Sequence, residues 1–267
     1  MTLSIIIVNY NTKKLLMKCL QRIADNLQLP RSEVEVIVVD NNSSDGSEEY
    51  LKKLRVTGYE LRVIQNYTNV GFGSAVNQGI KTSSGDYVLL LNTDTELQEG
   101  SVKTLIDFVR NNQNIGIVVP QLLNPDGSIQ PSCFKYPTIG GAIRKFWLGQ
   151  NEAFGKYIPE GNQPNQVEGA VGAVWLMPRL TIERVGLLNE KFFMYYEDID
   201  YCRRTRQAGL KIVYIPQLKV IHLHGASGKK LADKPNQWLV ESSKKYHGLL
   251  EHYLINLIIR ISQLCQK

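Results

Sequence analysis

The 267-residue sequence has few cysteines and no long apolar segment, and both absences restrict its class. Cys19, Cys133, Cys202 and Cys265 lie 63 or more residues apart, so they form neither a metal-binding knuckle nor a disulfide framework. This pattern is typical of a reducing cytoplasm. No apolar run approaches the ~18 residues of a membrane span, and Leu3–Val8 is too short for a secretory signal. We therefore expect a cytoplasmic protein.

Acidic residues are scarce relative to basic ones in the last third of the chain. Residues 191–267 contain 13 Lys/Arg and 6 Asp/Glu, or +7, whereas residues 1–190 contain 18 and 19, or −1. A basic region of this kind binds nucleic acid, an anionic membrane surface or a phosphorylated substrate, or it is a solvated face. The apolar fraction of 43% and the charged fraction of 21% are those of a globular protein with a full core.

Predicted strands and helices alternate through the first half of the chain. The predicted strands are Leu3–Val8, Glu35–Val39, Leu61–Gln65, Tyr87–Leu91 and Ile117–Pro120. The predicted helices are Lys14–Asn26, Ser47–Leu54, Ser74–Lys81 and Ser101–Asn111. This alternation predicts an α/β fold with a doubly wound, mostly parallel sheet. The alternation stops at the turn Asn124–Gly127, and residues 128–165 are predicted to form a long, partly irregular connection.

Two polar residues follow the predicted strand Tyr87–Leu91, at the edge where open α/β sheets bind ligands. Asn92 and Asp94 would place oxygens at this edge, and such a pair suits a hard divalent cation that is bound together with phosphates. Strands also end in simple Asx turns, so the pattern by itself leaves a structural interpretation open.

Two other strand ends carry polar or glycine-rich segments. Asp40–Ser47 follows the second strand, where a carboxylate can accept a hydrogen bond from a nucleotide base or a ribose hydroxyl. The same segment is also explained by a turn with a helix N-cap. Asn69–Asn77 follows the third strand, and its glycines allow backbone N–H groups to approach an anion closely. It matches only half of a dinucleotide-binding fingerprint, because Val76 stands where the third glycine is expected.

The order and spacing of seven segments carry a family resemblance. The segments are Ser4–Asn11, Asp40–Ser47, Asn69–Asn77, Leu90–Leu97, Gly169–Arg179, Gly186–Arg204 and Val220–Ser227. Together they resemble the successive motifs of the GT-A-fold, family 2 glycosyltransferases. The resemblance is strongest to the branch with bacterial rhamnosyltransferases that build O-antigen and other cell-surface polysaccharides. It spans residues 2–228 and implies a hexosyltransferase.

The resemblance also implies a domain organisation. Residues 1–228 are expected to form a GT-A-type, Rossmann-like catalytic domain with an acceptor-side subregion. Within it, residues 1–124 would form the nucleotide-sugar-binding half and residues 125–228 the acceptor and catalytic half. Residues 229–267 would form a basic, helical C-terminal extension.

A nucleotide-diphosphate sugar, a dTDP- or UDP-sugar, is the donor that the resemblance implies. The implied donor-binding residues are Val8, Tyr10, Asp40, Asn42, Asn69, Gly71, Asn77, Asn92 and Asp94. A divalent cation, Mg²⁺ or Mn²⁺, would be bound by Asp94 and His222. Many family members have Asp-x-Asp where this chain has Asn92-Thr93-Asp94, so the site has one less negative charge and is expected to bind metal more weakly.

Three carboxylates lie within four residues at Glu197, Asp198 and Asp200. Mutual repulsion and partial desolvation beside the apolar run Phe192–Tyr196 raise a carboxyl pKa toward the range of a general base. The same acids also suit the first turn of a helix because of its dipole, which leaves a structural interpretation open. The resemblance assigns the general base to Asp198, with Glu197 as its catalytic neighbour.

His222 follows the predicted strand Leu218–Ile221. A histidine at a strand end is often a structural residue. The resemblance implies instead that His222 completes the metal or diphosphate site opposite Asp94, with His224 as the weaker candidate. The acceptor that the resemblance implies is a saccharide or a lipid-linked saccharide, and not nucleic acid.

A predicted amphipathic helix, Trp238–Leu264, ends the chain. Its apolar stripe consists of Leu239, Tyr246, Leu250, Tyr253, Leu257, Ile261 and Leu264. Such a helix packs on the catalytic domain, or it makes a peripheral contact with a membrane or forms a homodimer interface. For a lipid-linked acceptor, the expected location is the inner face of the cell membrane.

Two other classes of protein are open besides an inverting glycosyltransferase, namely a sugar nucleotidyltransferase and an inactive saccharide-binding homologue. A sugar nucleotidyltransferase would need a Gly-rich loop with Arg or Lys directly after the first strand, and Asn9–Thr12 is not such a loop. An inactive saccharide-binding homologue would have no need to keep Asp94, Asp198 and His222 together, and all three are present. The sequence therefore favours an inverting glycosyltransferase with Asp198 as its base.

Overall fold

The computed structural model of the protein describes residues 2–54, 59–223 and 234–265. The strands are β1 Leu3–Asn9, β2 Val34–Asp40, β3 Glu60–Gln65, β4 Tyr87–Leu91, β5 Thr95–Glu96, β6 Ile115–Leu123, β7 Cys133–Lys135, β8 Gly155–Tyr157, β9 Asn165–Val167, β10 Gly169–Ala170, β11 Val174–Pro178 and β12 Lys211–His222. The α-helices are α1 Lys13–Asn26, α2 Ser47–Lys53, α3 Phe72–Thr82, α4 Ser101–Arg110, α5 Ile139–Leu148, α6 Arg179–Val185, α7 Glu197–Gln207 and α8 Lys234–Cys265.

The central sheet has the strand order β3-β2-β1-β4-β11-β6-β12-β5, and β9 also pairs with β12. β3, β2, β1 and β4 are parallel to one another, as the alternation predicts. β11 lies antiparallel between β4 and β6, and β6 is parallel to β12. The predicted doubly wound α/β sheet is confirmed. The insertion of β11 is a long-range pairing that a local alternation of strands and helices does not predict.

Apolar strands and close helix packing hold the carboxyl edge of this sheet in place. Every residue of β2 is buried, as expected for a parallel strand that is covered on both faces. α3 lies so close to β1 that a Cβ at Gly79 would come within 2.5 Å of Ile6 Cγ2. Glycine therefore allows this helix to approach the sheet, and α3 begins at the edge where β1 and β4 end.

The prediction of a partly irregular connection at residues 128–165 is wrong in part. The segment contains β7, α5, β8 and β9, and β7 pairs with β8 and β10 in a separate three-stranded sheet. Gly169 of β10 packs against Phe134 of β7, where a Cβ would lie 2.3 Å from Phe134 Cε2. Short strands of three residues give too little alternation for a sequence pattern to reveal them.

The C-terminal helix also differs from the prediction of one continuous amphipathic helix. α8 is interrupted at Gly248, which has φ +76° and ψ 167°. Leu250, Leu257 and Leu264 of the predicted stripe are 77%, 52% and 72% exposed, so after Gly248 the stripe is not the face that packs on the rest of the protein. Before Gly248, Tyr246 of the same stripe does pack on the catalytic-site side, against Phe192 and Tyr196. In the part of the chain that the structure describes, no helix is long and apolar enough to cross a membrane.

Candidate active site

A first cavity opens at the carboxyl ends of β1 and β4. Five of the predicted donor-binding residues line it: Val8, Tyr10, Asn69, Gly71 and Asn92. The other lining residues are Thr12, Asn41, Phe72, Thr93, Phe193, Met194 and Trp238. The cavity therefore lies at the sheet edge where the sequence predicts a ligand.

The glycine-rich wall of the first cavity is fixed by an amide network. Asn41 Nδ2 donates to Asn69 Oδ1 at 2.7 Å, and Asn41 Oδ1 accepts from the Val70 N–H at 3.0 Å. Asn69 Oδ1 also accepts from the Gly71 N–H at 3.0 Å. Gly71 has φ +85°, and a Cβ on it would lie 2.6 Å from the carbonyl oxygen of Phe193. Only glycine allows this approach between the two halves of the chain.

Gly71→Ala is expected to destabilise the protein by about 1–3 kcal/mol, because it combines positive φ with a clash against the Phe193 carbonyl. Urea unfolding measures the loss. Gly127→Ala is the matched control, since Gly127 has φ +83° but no atom within 4 Å of an added Cβ. Equal losses of free energy in the two variants would contradict a role for the Phe193 contact.

Asp40 and Asn42 do not line the first cavity. The Asp40 carboxylate is fully buried and accepts hydrogen bonds from Asn9 Nδ2 at 2.6 Å, Ser43 N–H at 3.0 Å and Gln65 Nε2 at 2.8 Å. These bonds tie together the ends of β1, β2 and β3. Asn42 is exposed and has φ +67°, a conformation that Asn tolerates better than most residues.

Asn77 lines neither the first cavity nor the second cavity described below, and its side chain is 1% exposed. Its Nδ2 donates to the Leu188 carbonyl and to Glu190 Oε1, both at 2.8 Å, and its Oδ1 accepts from the Leu188 N–H at 2.9 Å. These three bonds use both ends of the amide. The Asn77 amide therefore fixes α3 to the segment before α7.

A second cavity shares three wall residues with the first, namely Phe72, Asn92 and Met194. Its other lining residues are Asp94, Gln130, Lys156, Val171, Gly172, Ala173, Tyr195, Glu197, Asp198 and His222. The structure thus brings together the residues that the sequence predicts for metal binding and for catalysis, although they span positions 94 to 222.

Asp94 and His222 face each other because β5 pairs with the end of β12, where His222 is opposite Thr95. His222 Nε2 lies 3.4 Å from Asp94 Oδ1, and both side chains are buried. His222 Nδ1 lies 2.6 Å from Gln130 Oε1, which can only accept a hydrogen bond, so Nδ1 carries the proton. In the neutral ring Nε2 is then the unprotonated nitrogen, and this is the form that binds a metal ion.

The residues of the second cavity fit a divalent cation. The Asp94 carboxylate and the His222 ring converge, and Asn92 lines the same cavity. No group of three or more His, Cys, Asp or Glu residues suited to a metal occurs among the residues that the structure describes. A cation at Asp94 and His222 would therefore take further oxygens from water or from a phosphorylated ligand, as Mg²⁺ usually does. His224, the weaker candidate, lies outside the described residues.

Two consecutive tyrosines with positive φ precede the acid pair at the start of α7. Tyr195 and Tyr196 both have φ +69°, a conformation that costs about 1–3 kcal/mol for a residue other than glycine. Glu197 and Asp198 are the first two residues of α7, and both line the second cavity. Asp198 Oδ1 accepts a hydrogen bond from the Ile199 N–H at 2.8 Å. The surrounding packing thus holds a strained turn that directs both carboxyl groups into the cavity.

Burial raises the pKa values of both acids. The pKa of Glu197 is well above its usual value because of burial and then because of the charge of Asp198, and Glu197 Oε2 is buried without a hydrogen-bond partner in the described structure. Burial also raises the pKa of Asp198, while Lys156 and the backbone N–H groups of Ile199 and Gly172 oppose the rise. Glu197 is only 7% exposed whereas Asp198 is half-buried, so Asp198 is the acid that a ligand can reach.

Sequence reasoning missed three residues of these cavities: Gln130, Lys156 and Trp238. Gln130 and Lys156 lie in or beside the short strands after residue 128, where no local pattern was readable. The Trp238 ring centroid lies 4.8 Å from that of Phe193, so the start of α8 forms part of the first cavity. The aromatic run before Glu197 was the only available signal for this contact.

Cavities at the carboxyl ends of parallel strands occur in many α/β enzymes. This protein adds an adjoining cavity in which the Asp94–His222 pair lies with two acids, the buried Glu197 and the half-buried Asp198. A mixed α/β sheet with a site of this kind is typical of an α/β enzyme that binds a phosphorylated ligand at its carboxyl edge.

Comparison with known proteins gives the family. The sequence pattern described as "Glycosyl transferase family 2" matches residues 4–166. The chain therefore belongs to glycosyl transferase family 2.

Within this family the chain is similar to the rhamnosyltransferase branch. It is 30% identical over 223 residues to N-acetylglucosaminyl-diphospho-decaprenol L-rhamnosyltransferase of Mycobacterium tuberculosis, covering 76% of this chain and 71% of the relative. It is 25% identical over 245 residues to rhamnosyltransferase WbbL of Escherichia coli, covering 85% and 87%. The crystal structure of GalNAc-T7 with UDP, GalNAc and Mn²⁺ has a TM-score of 0.67 at 17% identity, covering 83% of this chain and 43% of that one.

Proposed function

We propose that this glycosyltransferase is an inverting enzyme that transfers a sugar, rhamnose by similarity to its relatives, from a nucleotide-diphosphate donor to an acceptor hydroxyl. The observation that carries the proposal is the second cavity, where half-buried Asp198 and the Asp94–His222 pair line the same space. An acid that can accept a proton therefore lies beside a pair that can hold a cation at the leaving group.

The nucleotide of a dTDP- or UDP-sugar would occupy the first cavity, against Val8, Tyr10, Asn69 and Gly71. Its sugar would lie where the two cavities meet, beside Asn92. UDP and Mn²⁺ are named for the GalNAc-T7 structure, which supports a nucleotide and a divalent cation as the class of ligands proposed here.

Three of the expected donor-binding residues, Asp40, Asn42 and Asn77, do not line the first cavity. Asp40 would act indirectly, because its hydrogen bonds fix the strand ends behind the cavity. Asn77 would do the same through Leu188. Asn42, which is exposed, would contact the donor only at the rim.

In the proposed reaction, Asp198 accepts the proton of the acceptor hydroxyl as that oxygen attacks the anomeric carbon. The new C–O bond forms on the face opposite the bond to the diphosphate, which breaks with its electron pair, so the configuration at that carbon inverts. A divalent cation held by Asp94 and His222, with Asn92 beside them, would supply positive charge to the departing diphosphate. Tyr195 and Met194 line the space in which this step would occur.

The acceptor would enter from the side formed by residues 125–228, which we propose as the acceptor and catalytic half of a catalytic domain spanning residues 1–228. The name of the Mycobacterium tuberculosis relative specifies a lipid-linked acceptor, N-acetylglucosaminyl-diphospho-decaprenol. We extend this class of acceptor, a saccharide on a lipid diphosphate, to the present chain. Such an acceptor would place the reaction at the inner face of the cell membrane.

Incubation with a panel of nucleotide sugars, Mg²⁺ or Mn²⁺, and a lipid-linked or free saccharide tests the proposal. The expected result is release of nucleoside diphosphate with one donor and a product whose anomeric configuration, read by NMR, is inverted. Pyrophosphate formation from a nucleoside triphosphate and a sugar phosphate would instead indicate a nucleotidyltransferase. Saccharide binding without turnover of any donor would indicate an inactive homologue, and a retained configuration would exclude the role of Asp198.

A further inference from the structure

Exposed apolar side chains are concentrated on two helical segments that pack against each other, α5 and residues 249–265 of α8. Ser262 Oγ donates to the Phe146 carbonyl at 2.9 Å across this contact. Of the 18 large apolar side chains that are exposed in the described structure, ten lie on these two segments: Ile143, Trp147, Leu148, Leu249, Leu250, Tyr253, Leu254, Leu257, Ile261 and Leu264. We call these ten residues the apolar surface.

The stripe on α8 points away from the protein. The buried residues of its second part are His252, Ile255 and Ser262. With 3.6 residues per turn, the stripe residues Leu257 and Leu264 lie roughly half a turn around the helix from this packed face. The stripe runs from residue 250 to 264 and is about 21 Å long. The second part of α8 therefore has one side that packs on α5 and an opposite apolar side that faces solvent.

Basic residues border the apolar surface. Arg144 of α5 and Arg260 of α8 are both exposed, and no acidic residue follows Glu251 in the sequence. The two segments that carry the surface, residues 139–148 and 249–265, contain three Lys/Arg and one Asp/Glu, a net charge of +2. Two copies of the chain that met through this surface would bring like charges together. An anionic lipid headgroup layer, in contrast, complements both the charge and the apolar stripe.

Two features of the surface suit the boundary between headgroups and acyl chains. Trp147 and Tyr253 are 51% and 57% exposed, and side chains of this kind, with an apolar body and a polar group, favour that boundary. The surface also adjoins the second cavity along the chain, because α5 leads through Asn151–Ala153 to β8, which carries Lys156.

We propose that the apolar surface binds peripherally to an anionic membrane, with the stripe of α8 and Trp147 inserted among the headgroups. The orientation of the active site toward a lipid-linked acceptor rests on the proposed function, whereas binding to the membrane does not. Failure of either proposal can therefore be recognised separately.

Co-sedimentation of the full chain with lipid vesicles tests the proposal. We expect the protein to bind vesicles of phosphatidylcholine mixed with phosphatidylglycerol, to bind pure phosphatidylcholine vesicles weakly, and to dissociate as salt is raised. Absence of binding to the anionic vesicles at low salt would overturn the proposal.

Substitutions on the stripe separate insertion from charge attraction. The triple variant Leu257→Gln, Ile261→Gln, Leu264→Gln should lower vesicle affinity at least about tenfold, because the inserted apolar area is lost. Its fold should persist, since all three side chains are already exposed. The control triple Met17→Gln, Val63→Gln, Leu180→Gln changes side chains that are 42%, 41% and 48% exposed elsewhere, and it should bind vesicles like the wild type.

Two further measurements test the contribution of charge and the oligomeric state. Arg144→Gln and Arg260→Gln should each weaken binding to anionic vesicles about fivefold and leave weak binding to neutral vesicles unchanged.

Light scattering gives the mass of the protein in solution. If the wild type is a dimer that the stripe variant converts to a monomer, and neither binds vesicles, a second copy covers the surface and the proposal is wrong. Transfer to a water-soluble acceptor should be unchanged in the stripe variant.

Discussion

Asp198→Asn should lower the rate of sugar transfer by about 10²–10⁴, the usual contribution of a general base, while donor affinity is retained. The substitution keeps the shape of the side chain and removes its capacity to accept a proton. Asp198 Oδ1 already accepts a backbone hydrogen bond from Ile199, and the Asn side-chain oxygen can keep it. Steady-state transfer rates and donor binding by calorimetry, measured on the same preparations, separate the two effects.

Glu197→Gln is the matched control for this prediction, because Glu197 is the adjacent carboxyl group but is 7% exposed. We expect it to retain most of the activity. If Glu197→Gln loses activity and Asp198→Asn does not, the base is Glu197 and the assignment of the pair is reversed.

The pH dependence of transfer provides a second readout of the base. Burial raises the pKa of Asp198, and the base acts only when it is deprotonated, so the rate should rise with pH through a midpoint above the usual carboxyl range. Lys156 opposes this rise in pKa, so Lys156→Gln should move the midpoint to higher pH. In Asp198→Asn this rising limb should disappear. A profile that is the same in all three proteins would contradict the role of Asp198.

The free energy of unfolding should depend on pH through Glu197, and in the opposite direction to the transfer rate: it should fall as the pH rises. Its pKa in the folded protein is raised, mainly by burial, so the folded state holds this proton more tightly than the unfolded state does. The resulting contribution to the free energy of unfolding is present below the unfolded pKa and is lost as the pH rises through the folded pKa. The neutral Glu197→Gln side chain has no such loss, which explains why the control variant is expected to fold at neutral pH.

Asp94→Ala should abolish metal-dependent donor binding and lower the transfer rate by about 10²–10³, the usual contribution of one group that stabilises developing charge. Asp94 is the carboxylate that faces His222 Nε2 at 3.4 Å, so its loss removes the only negatively charged ligand of the candidate metal site in the described structure. Titration with Mn²⁺, in the presence and absence of donor, measures binding directly. Thermal unfolding checks that the fold persists.

Two further variants test whether the effect of Asp94→Ala is due to the charge of this one carboxylate. Asp94→Asn keeps the size of the side chain and removes its charge, so it should reproduce the loss of metal binding without leaving a gap. Asp107→Asn removes a surface carboxylate that pairs with Lys103, and it should have no effect on transfer. Full activity of Asp94→Ala, or of the wild type with excess chelator, would exclude a metal role for this residue.

The parallel half of the fold could be predicted from the sequence because its signals are local. Tyr87–Leu91 was predicted with the same bounds that the structure shows, since a buried apolar strand between a Gly-Asp turn and polar residues has clear limits. The position of β11 between β4 and β6 could not be predicted, because strand pairing across 83 or more residues to β4 and 58 residues to β6 leaves no periodic pattern. The small sheet after residue 128 could not be predicted either, because its strands of two or three residues give too little alternation.

The candidate site was predictable where function places polar groups at strand ends, as at Asn92 and Asp94. Asn77 shows the limit of this reasoning, because a polar residue in a motif can be used entirely for internal hydrogen bonds. Trp238 shows another limit, since it reaches the first cavity only through its contact with Phe193. Such contacts depend on how α8 folds back, and nothing in the helix pattern specifies that.

The interruption of α8 at Gly248 divides the C-terminal helix into two parts with different surroundings, which remain joined by a contact of 2.8 Å between Ser243 Oγ and His252 Nδ1. Before Gly248, Trp238 lines the first cavity and Ser242 Oγ donates to the Met194 carbonyl at 2.8 Å, so this part is a component of the wall of the first cavity. After Gly248, the helix rests on α5 and carries the apolar surface. Leu257, Ile261 and Leu264 face solvent and are far along the chain from Trp238 and Ser242. We therefore expect the outer face of the second part to tolerate sequence changes, and to adapt to a different surface, while the wall of the first cavity stays unchanged.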